Sequence, residues 1–350
     1  MTSLPMEPRR VRRRSRTWIN VALSAGLVAL LLWKIDLGET IDYIRDADGL
    51  LWLAALAVFV ASTAGMAWRW QLLLAARGIR EPLRWLTGSY FAGYAAAQFL
   101  PTGIGGDALR IVDHARRRPD RKSEVAAAVL MERVIGAVSV LILAAVGLVL
   151  AIGRYDDIEA LLWLELGFLA VVGAGLFLLF STHGRKGLRL VRPVAARLRL
   201  QRPAGSLYAS MHAYRREPRA LVVVCVLTLV LQLVRAISIW LCGEAVGLDL
   251  SPIVYIILGP LLSLVMLVPF TVNGLGVREA FFVAFLGRFG VDADAAFATG
   301  FLFYAVTILA SVPGAFLLLG RSFRPVLRRR SITAGAAHER PAEEGAEARQ

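Results

Sequence analysis

Eight apolar runs set the frame of this chain, at about 17–34, 50–75, 85–100, 125–152, 160–182, 219–246, 252–272 and 296–320. Most approach the ~20 residues that cross ~30 Å of hydrocarbon as a helix. Inside lipid no water satisfies the backbone, so such runs fold as helices. With 57% hydrophobic residues and a mean hydropathy of +0.61, the chain is too apolar for a soluble domain. The expected class is an all-α polytopic membrane protein.

Two of the runs are broken, at Pro101-Thr-Gly-Ile-Gly-Gly-Asp107 and at Pro269-Phe-Thr-Val-Asn-Gly-Leu-Gly-Val-Arg-Glu279. Proline and clustered glycines end a helix, and open backbone at membrane depth needs protein or a wet cavity around it. The surroundings of the two breaks also match. Trp70 lies eight residues before Gly78, and Trp240 seven before Gly247; those glycines lie 23 and 22 residues before Pro101 and Pro269. Nine residues after each proline comes an arginine, Arg110 or Arg278. Paired interruptions point to an internal repeat with a midplane site; the alternative is two unrelated kinked helices.

The net charge of +14 sits in short segments flanking apolar runs, which reads as positive-inside bias and not as nucleic-acid binding. Residues 1–16 carry six arginines and are expected in the cytoplasm, before a first helix retained because no small-residue cleavage site follows Trp33-Lys34. The acidic 35–48 connection faces out, and Arg69, Arg77, Arg80 and Arg84 face in. A full crossing at 85–110 would then put Arg110, Arg116, Arg117, Arg118, Arg121 and Lys122 outside. A dip into the membrane and back at about 85–112 avoids this, and the same bookkeeping gives a second dip, from the other side, at 252–290. The expected fold is thus six full crossings plus two re-entrant half-helix hairpins in an inverted repeat. Eight full crossings are the alternative, at the cost of an external arginine cluster. Residues 183–219, with ten Lys/Arg, form a cytoplasmic basic loop, within which 185–200 reads as an amphipathic helix on the anionic leaflet or as a solvated linker. Residues 323–350 are expected to be a cytoplasmic, largely disordered tail.

Chemistry has few footholds. Cys225 and Cys242 lie in one apolar run without a CxxC, and the four histidines are scattered, so metal and thiol chemistry are not expected. Cofactor, phosphate-loop and Ser-His motifs are not recognised either. Ionisable residues within apolar runs are costly and mark function by default. They are Asp107 and Arg110 after the first break, Glu132 and Arg133, Arg235 near mid-depth, and Arg278 and Glu279 after the second break. Adjacent helical residues diverge by ~100°, so Glu132 and Arg133 cannot share one partner. Arg133 or Arg235 could clamp a phosphate bidentately, and the acids could hold an ammonium or balance the arginines. Arg69, Arg110 and Arg278 could instead only snorkel. Half-helices starting near Gly105–Gly106 and Gly274–Gly276 offer free N–H groups to an anion; Gly103 belongs to the same loop, and Thr102 and Asn273 add hydrogen bonds. The competing reading makes the glycines packing devices and the charges an internal ion-pair network.

The run from Tyr90 through Leu100-Pro-Thr-Gly-Ile-Gly-Gly-Asp107 to Arg110, with Met131-Glu-Arg133 and Asn273-Gly-Leu-Gly-Val-Arg-Glu279, resembles the flippase-like membrane family, the lysylphosphatidylglycerol synthase transmembrane region. The resemblance covers about residues 17–322 and implies movement of an anionic or aminoacylated phospholipid between leaflets. It implies a multi-pass protein of the bacterial inner (plasma) membrane with both termini cytoplasmic, and membrane lipids as partners. Full-length synthases continue into a soluble transferase domain, whereas a charged tail follows residue 330 here, so lipid aminoacylation by these residues alone is not expected. The alternatives are a secondary carrier of a small anion, a membrane enzyme or subunit modifying lipid-linked glycans, or a non-transporting anchor for a separate synthase.

Overall fold

The computed structural model describes residues 36–99, 105–151, 201–266 and 276–338, together with isolated helical positions at Gly167, Ala170 and Ala174. Among them the fold is all-helical. Ten helices run in chain order: α1 (Leu37–Arg45), α2 (Gly49–Ala76), α3 (Leu83–Phe99), α4 (Gly105–Arg117), α5 (Lys122–Ala151), α6 (Gln201–His212), α7 (Pro218–Val246), α8 (Pro252–Val265), α9 (Val277–Leu286) and α10 (Ala293–His338). Short 3-10 turns precede α5, α7 and α10.

Among the described residues four helices are long and apolar enough to cross a membrane: Gly49–Ala76, Pro119–Gly147, Pro218–Val246 and Ala293–Gly320. The other two expected crossings, 17–34 and 160–182, lie outside the described residues, as does the amphipathic stretch 185–200. At 1.5 Å per residue the 28-residue α2 is about 42 Å long. The 17-residue α3 reaches about 25 Å, and the 13-residue α4 about 20 Å. A long helix, two short ones and a long one thus follow each other twice, as α2–α5 and as α7–α10. The two leading helices also end alike. Gly78 closes α2 at φ +71° and Gly247 closes α7 at φ +90°, a left-handed position that a side chain resists.

Small residues bring these helices close. Gly93 of α3 and Gly106 of α4 touch backbone to backbone, so a methyl group on Gly106 would strike the Gly93 carbonyl. Ser89 on α3 donates to Asp113 on α4 at 3.3 Å, and Gly93 also faces Arg110. This register makes α3 and α4 an antiparallel hairpin. α2 and α7 are antiparallel as well: the Asp48 N–H donates to the Ala245 carbonyl at 2.8 Å and the Ser238 hydroxyl to the Ala55 carbonyl at 2.9 Å. Interhelical bonds and small-residue contacts of this kind hold helices together where lipid offers no hydrophobic contrast. Val222, Val223, Val226 and Val230 on α7 remain exposed, a face suited to hydrocarbon.

Two apolar cores result. One gathers Trp70, Leu73, Leu86, Met131 and Tyr214; the other gathers Phe59, Tyr255, Leu258, Phe282 and Phe303. Two features depart from the sequence reading. The acidic 35–48 connection contains α1, capped by Asp36, whose carboxylate accepts from the Gly38 N–H at 2.7 Å. The last helix is described to His338, so the segment expected as a tail from 323 begins within its range.

Candidate functional site

Most of the ionisable residues singled out inside the apolar runs converge on the bundle interior, while Arg133 stays exposed at its edge. Glu132 of α5 is 2% exposed and accepts from both neighbouring helices. Arg69 of α2 donates to its Oε1 through Nη2 at 3.0 Å and Nε at 3.3 Å, and Arg110 of α4 donates to Oε2 at 2.8 Å. The same Arg110 nitrogen reaches Asp107 Oδ1 at 2.9 Å, and Asp107 Oδ2 accepts from Arg133. The five side chains form one line, Arg69–Glu132–Arg110–Asp107–Arg133. Glu132 and Arg133 do take different direct partners, as their divergent helical positions require. Arg110 is stacked further between Tyr90 and Trp70, at 4.3 and 4.7 Å from the ring centres.

Snorkelling is excluded by this geometry. Arg69, Arg110 and Arg278 are only 6%, 4% and 5% exposed, so they turn inward to partners. Pairing and hydrogen bonding offset a burial that would otherwise cost several kcal/mol per ion.

Beside this line lies a cavity of about 320 Å³, walled by Arg69, Asp107, Arg110, Glu132, Arg133, Gln232, Arg235 and Ser263 among others. A second cavity of about 380 Å³ is lined by Phe59, Tyr94, Gln98, Gln232, Arg235, Ser263, Arg278, Phe303 and Thr307, among others. Gln232, Arg235 and Ser263 border both, so the two spaces are adjoining lobes. Arg235 packs over the Phe59 ring at 5.0 Å and Arg278 over the Tyr304 ring at 4.1 Å. Four buried guanidinium nitrogens, Arg77 Nε, Arg110 Nη1, Arg235 Nε and Arg278 Nη2, find no hydrogen-bond partner among the described residues, and the last three belong to arginines that line the lobes. Unmatched buried donors are expensive.

The hairpin termini are more structural than the sequence suggested. Gly276 caps α9 at φ +85°, and its N–H donates to Glu279 Oε2 at 2.8 Å. Glu279 Oε1 accepts from Arg278 Nε at 3.3 Å. Glu279 thus serves as a helix cap and does not line either lobe. Gly106 is filled by the backbone of Gly93, which leaves no room there for a headgroup. Gly105 opens α4. Thr102, Gly103, Asn273 and Gly274 lie outside the described residues.

Sequence reasoning missed the neutral polar lining, Tyr94, Gln98, Gln232, Ser263 and Thr307. The signal was present: Gln98 lies three residues before Pro101, and Gln232 three before Arg235, both within apolar runs. It also missed a second cluster at the end of α4. There His114 is fully buried, edge-on to Trp70 and Trp85, with Glu81 Oε1 at 3.8 Å. Glu81 accepts from Arg118 at 3.1 Å and pairs with Arg117 at 3.6 Å. Burial pushes the His114 pKa down, opposed by Glu81 and reinforced by Arg117 and Arg118. A third group, Glu39, Asp292 and Asp294, could place three carboxylate oxygens around a cation. Asp294 is already engaged, accepting from the Asp36 N–H at 2.7 Å and the Thr40 hydroxyl at 3.1 Å, which docks α1 onto α10.

Residues 17–314 match the family model described as lysylphosphatidylglycerol synthase TM region. The chain belongs to this family. The matched region is the transmembrane, non-catalytic half of the synthase. The chain is also similar to the glycosyltransferase AglD of Haloferax volcanii, 32% identical over 155 residues. That alignment covers 44% of this chain and 25% of the relative, so the chain spans about a quarter of that protein's length.

Proposed function

We propose that this chain is a lipid translocator, passing the headgroup of an anionic or modified phospholipid through the two-lobed cavity while the acyl chains stay in the bilayer. One observation carries the reading: arginines with unmatched buried nitrogens line adjoining cavities in a bundle of membrane-length helices. An intramembrane charge facing a cavity marks a substrate path by default. Family membership supports a lipid-handling role.

In this proposal α3–α4 and α8–α9 are re-entrant hairpins of opposite entry, the two halves are inverted repeats, and both termini are cytoplasmic in a bacterial inner membrane. Short helices, the matched glycine ends and the antiparallel α2–α7 pair support it. Single cysteines introduced in residues 110–122, in a background lacking Cys225 and Cys242, should react with an impermeant reagent only from the cytoplasm. Labelling from outside would remove the hairpin.

Transport is tested by reconstitution. Proteoliposomes holding the purified chain and fluorescent phosphatidylglycerol should expose more label to external dithionite than protein-free vesicles do. No excess at verified incorporation would sink the translocator reading. A second reading is favoured by the similarity to a glycosyltransferase: the domain presents a lipid-linked substrate to a catalytic partner without moving it. In that case binding of lipid would persist without flip.

A further inference from the structure

The two lobes differ in their acids: among the described residues only the first is lined by carboxylates, and the difference selects a cargo class. Around the first lobe both acids, Asp107 and Glu132, are already held by Arg69, Arg110 and Arg133. An incoming ammonium group would have to break those pairs. The second lobe is lined by Arg235 and Arg278 and by no carboxylate among the described residues. Arg278 is 5% exposed; its Nε is held by Glu279 while Nη2 is left unmatched. Arg235 has no acidic partner among the described residues, and its buried Nε is unmatched too. An uncompensated guanidinium in such surroundings is retained at a cost unless a ligand supplies the negative charge. The planar fork of each arginine suits phosphate oxygens.

We propose that the lobe bounded by Arg235 and Arg278 is a binding site for a phosphate group of net negative charge, one that carries no cationic aminoacyl substituent. The inference rests on the reading that the cavity takes a cargo, and narrows that cargo from modified phospholipids in general to anionic ones. Arg235 borders both lobes, so a phosphate leaving Arg110 in the first can be received by Arg235 before it reaches Arg278. Tyr94, Gln232 and Thr307 supply neutral hydrogen bonds along that route, which hold oxygens without adding a charge the anion must overcome.

The test uses the full chain in phosphatidylcholine nanodiscs, with binding read from tryptophan fluorescence. The probes are dioctanoyl phosphatidic acid, dioctanoyl phosphatidylglycerol, lysyl-phosphatidylglycerol and inorganic phosphate. The two anionic lipids should bind at least about tenfold tighter than the lysylated one, the scale of one hydrogen bond to a charged group. Equal or tighter binding of lysyl-phosphatidylglycerol overturns the proposal, and needs no variant. Gln232→Glu, equal in volume, should weaken phosphatidic acid by about tenfold or more by placing a carboxylate between the lobes; unchanged affinity also overturns it. Inorganic phosphate binding as tightly as phosphatidic acid supports the phosphate site but makes the cargo a soluble anion, against lipid translocation. Flip that proceeds equally for anionic and lysylated lipids leaves the translocator standing and removes the charge selection.

Discussion

The first half of the bundle contains its charges, whereas the second leaves them open. Arg110 and Arg278 occupy matching places, each nine residues beyond a proline, each buried and each over a tyrosine ring at 4.3 or 4.1 Å. Their partners differ. Arg110 sits in a line of three arginines and two acids whose members are carried by three helices. Arg278 has only its chain neighbour Glu279, and Arg235 beside it has no acid among the described residues. Such a line rigidifies, because removing an inner member leaves a neighbouring charge with fewer partners or none. An open set of donors costs stability until an anion arrives. The same sequence device, an arginine after a helix break, therefore serves chiefly as a strut, with one nitrogen left open, in one half and as a receptor in the other.

The largest effect should come from breaking the strut. Glu132→Ala strands Arg69 in the interior, leaves Arg110 with Asp107 alone, and should cost about 3–5 kcal/mol, read as a drop in thermal unfolding temperature in detergent. Full stability in that variant would erase the contrast between the halves.

A smaller stability change, with a larger functional one, is expected at the receptor. Arg235→Ala strands no acid among the described residues, so stability should fall by less than about 1 kcal/mol while lipid flip drops about tenfold or more. Arg235→Lys should restore little, because an ammonium lacks the planar fork. Severe unfolding in Arg235→Ala, with flip per folded molecule unchanged, would make Arg235 a second strut.

The smallest effect sharpens the comparison through pH. Residues 213–337 contain no histidine, so His114 gives the first half a titration that this part of the chain lacks. Its pKa is lowered in the fold, so the unfolded chain takes up the proton first. The contribution of neutral His114 is complete above its ordinary value of about 6.5 and is lost as pH falls below it, by at most about 1.4 kcal/mol per pH unit. His114→Gln should flatten the stability profile between about pH 5 and 7; an unchanged slope assigns the acid sensitivity elsewhere.

Much of the site was legible because charge is costly in lipid. Asp107, Arg110, Glu132, Arg133 and Arg235 stood out as ionisable residues in apolar surroundings, and they do share a lobe. Their division of labour was not legible. Glu279 carries the same apparent signal as Glu132, yet it caps α9 through the Gly276 N–H, and only the left-handed turn at Gly276 makes that reach possible. Gly106 reads as room for a headgroup until the antiparallel register places Gly93 against it. A Gly276→Leu change would likewise strain the backbone before it blocked a cavity.

By itself the sequence determined the class: long apolar runs with charged flanks must be membrane helices, since backbone in lipid has no other way to satisfy its polar groups. It also marked where breaks are expected, because proline and glycine act locally on φ and on the i−4 hydrogen bond. Which arginine meets which acid was decided only by tertiary packing. Arg69 and Glu132 are 63 residues apart in the chain, and Arg110 and Glu132 are 22 apart. No local propensity encodes those distances; the packing of α2, α4 and α5 against one another does, and it leaves Arg235 facing an open lobe instead of a carboxylate.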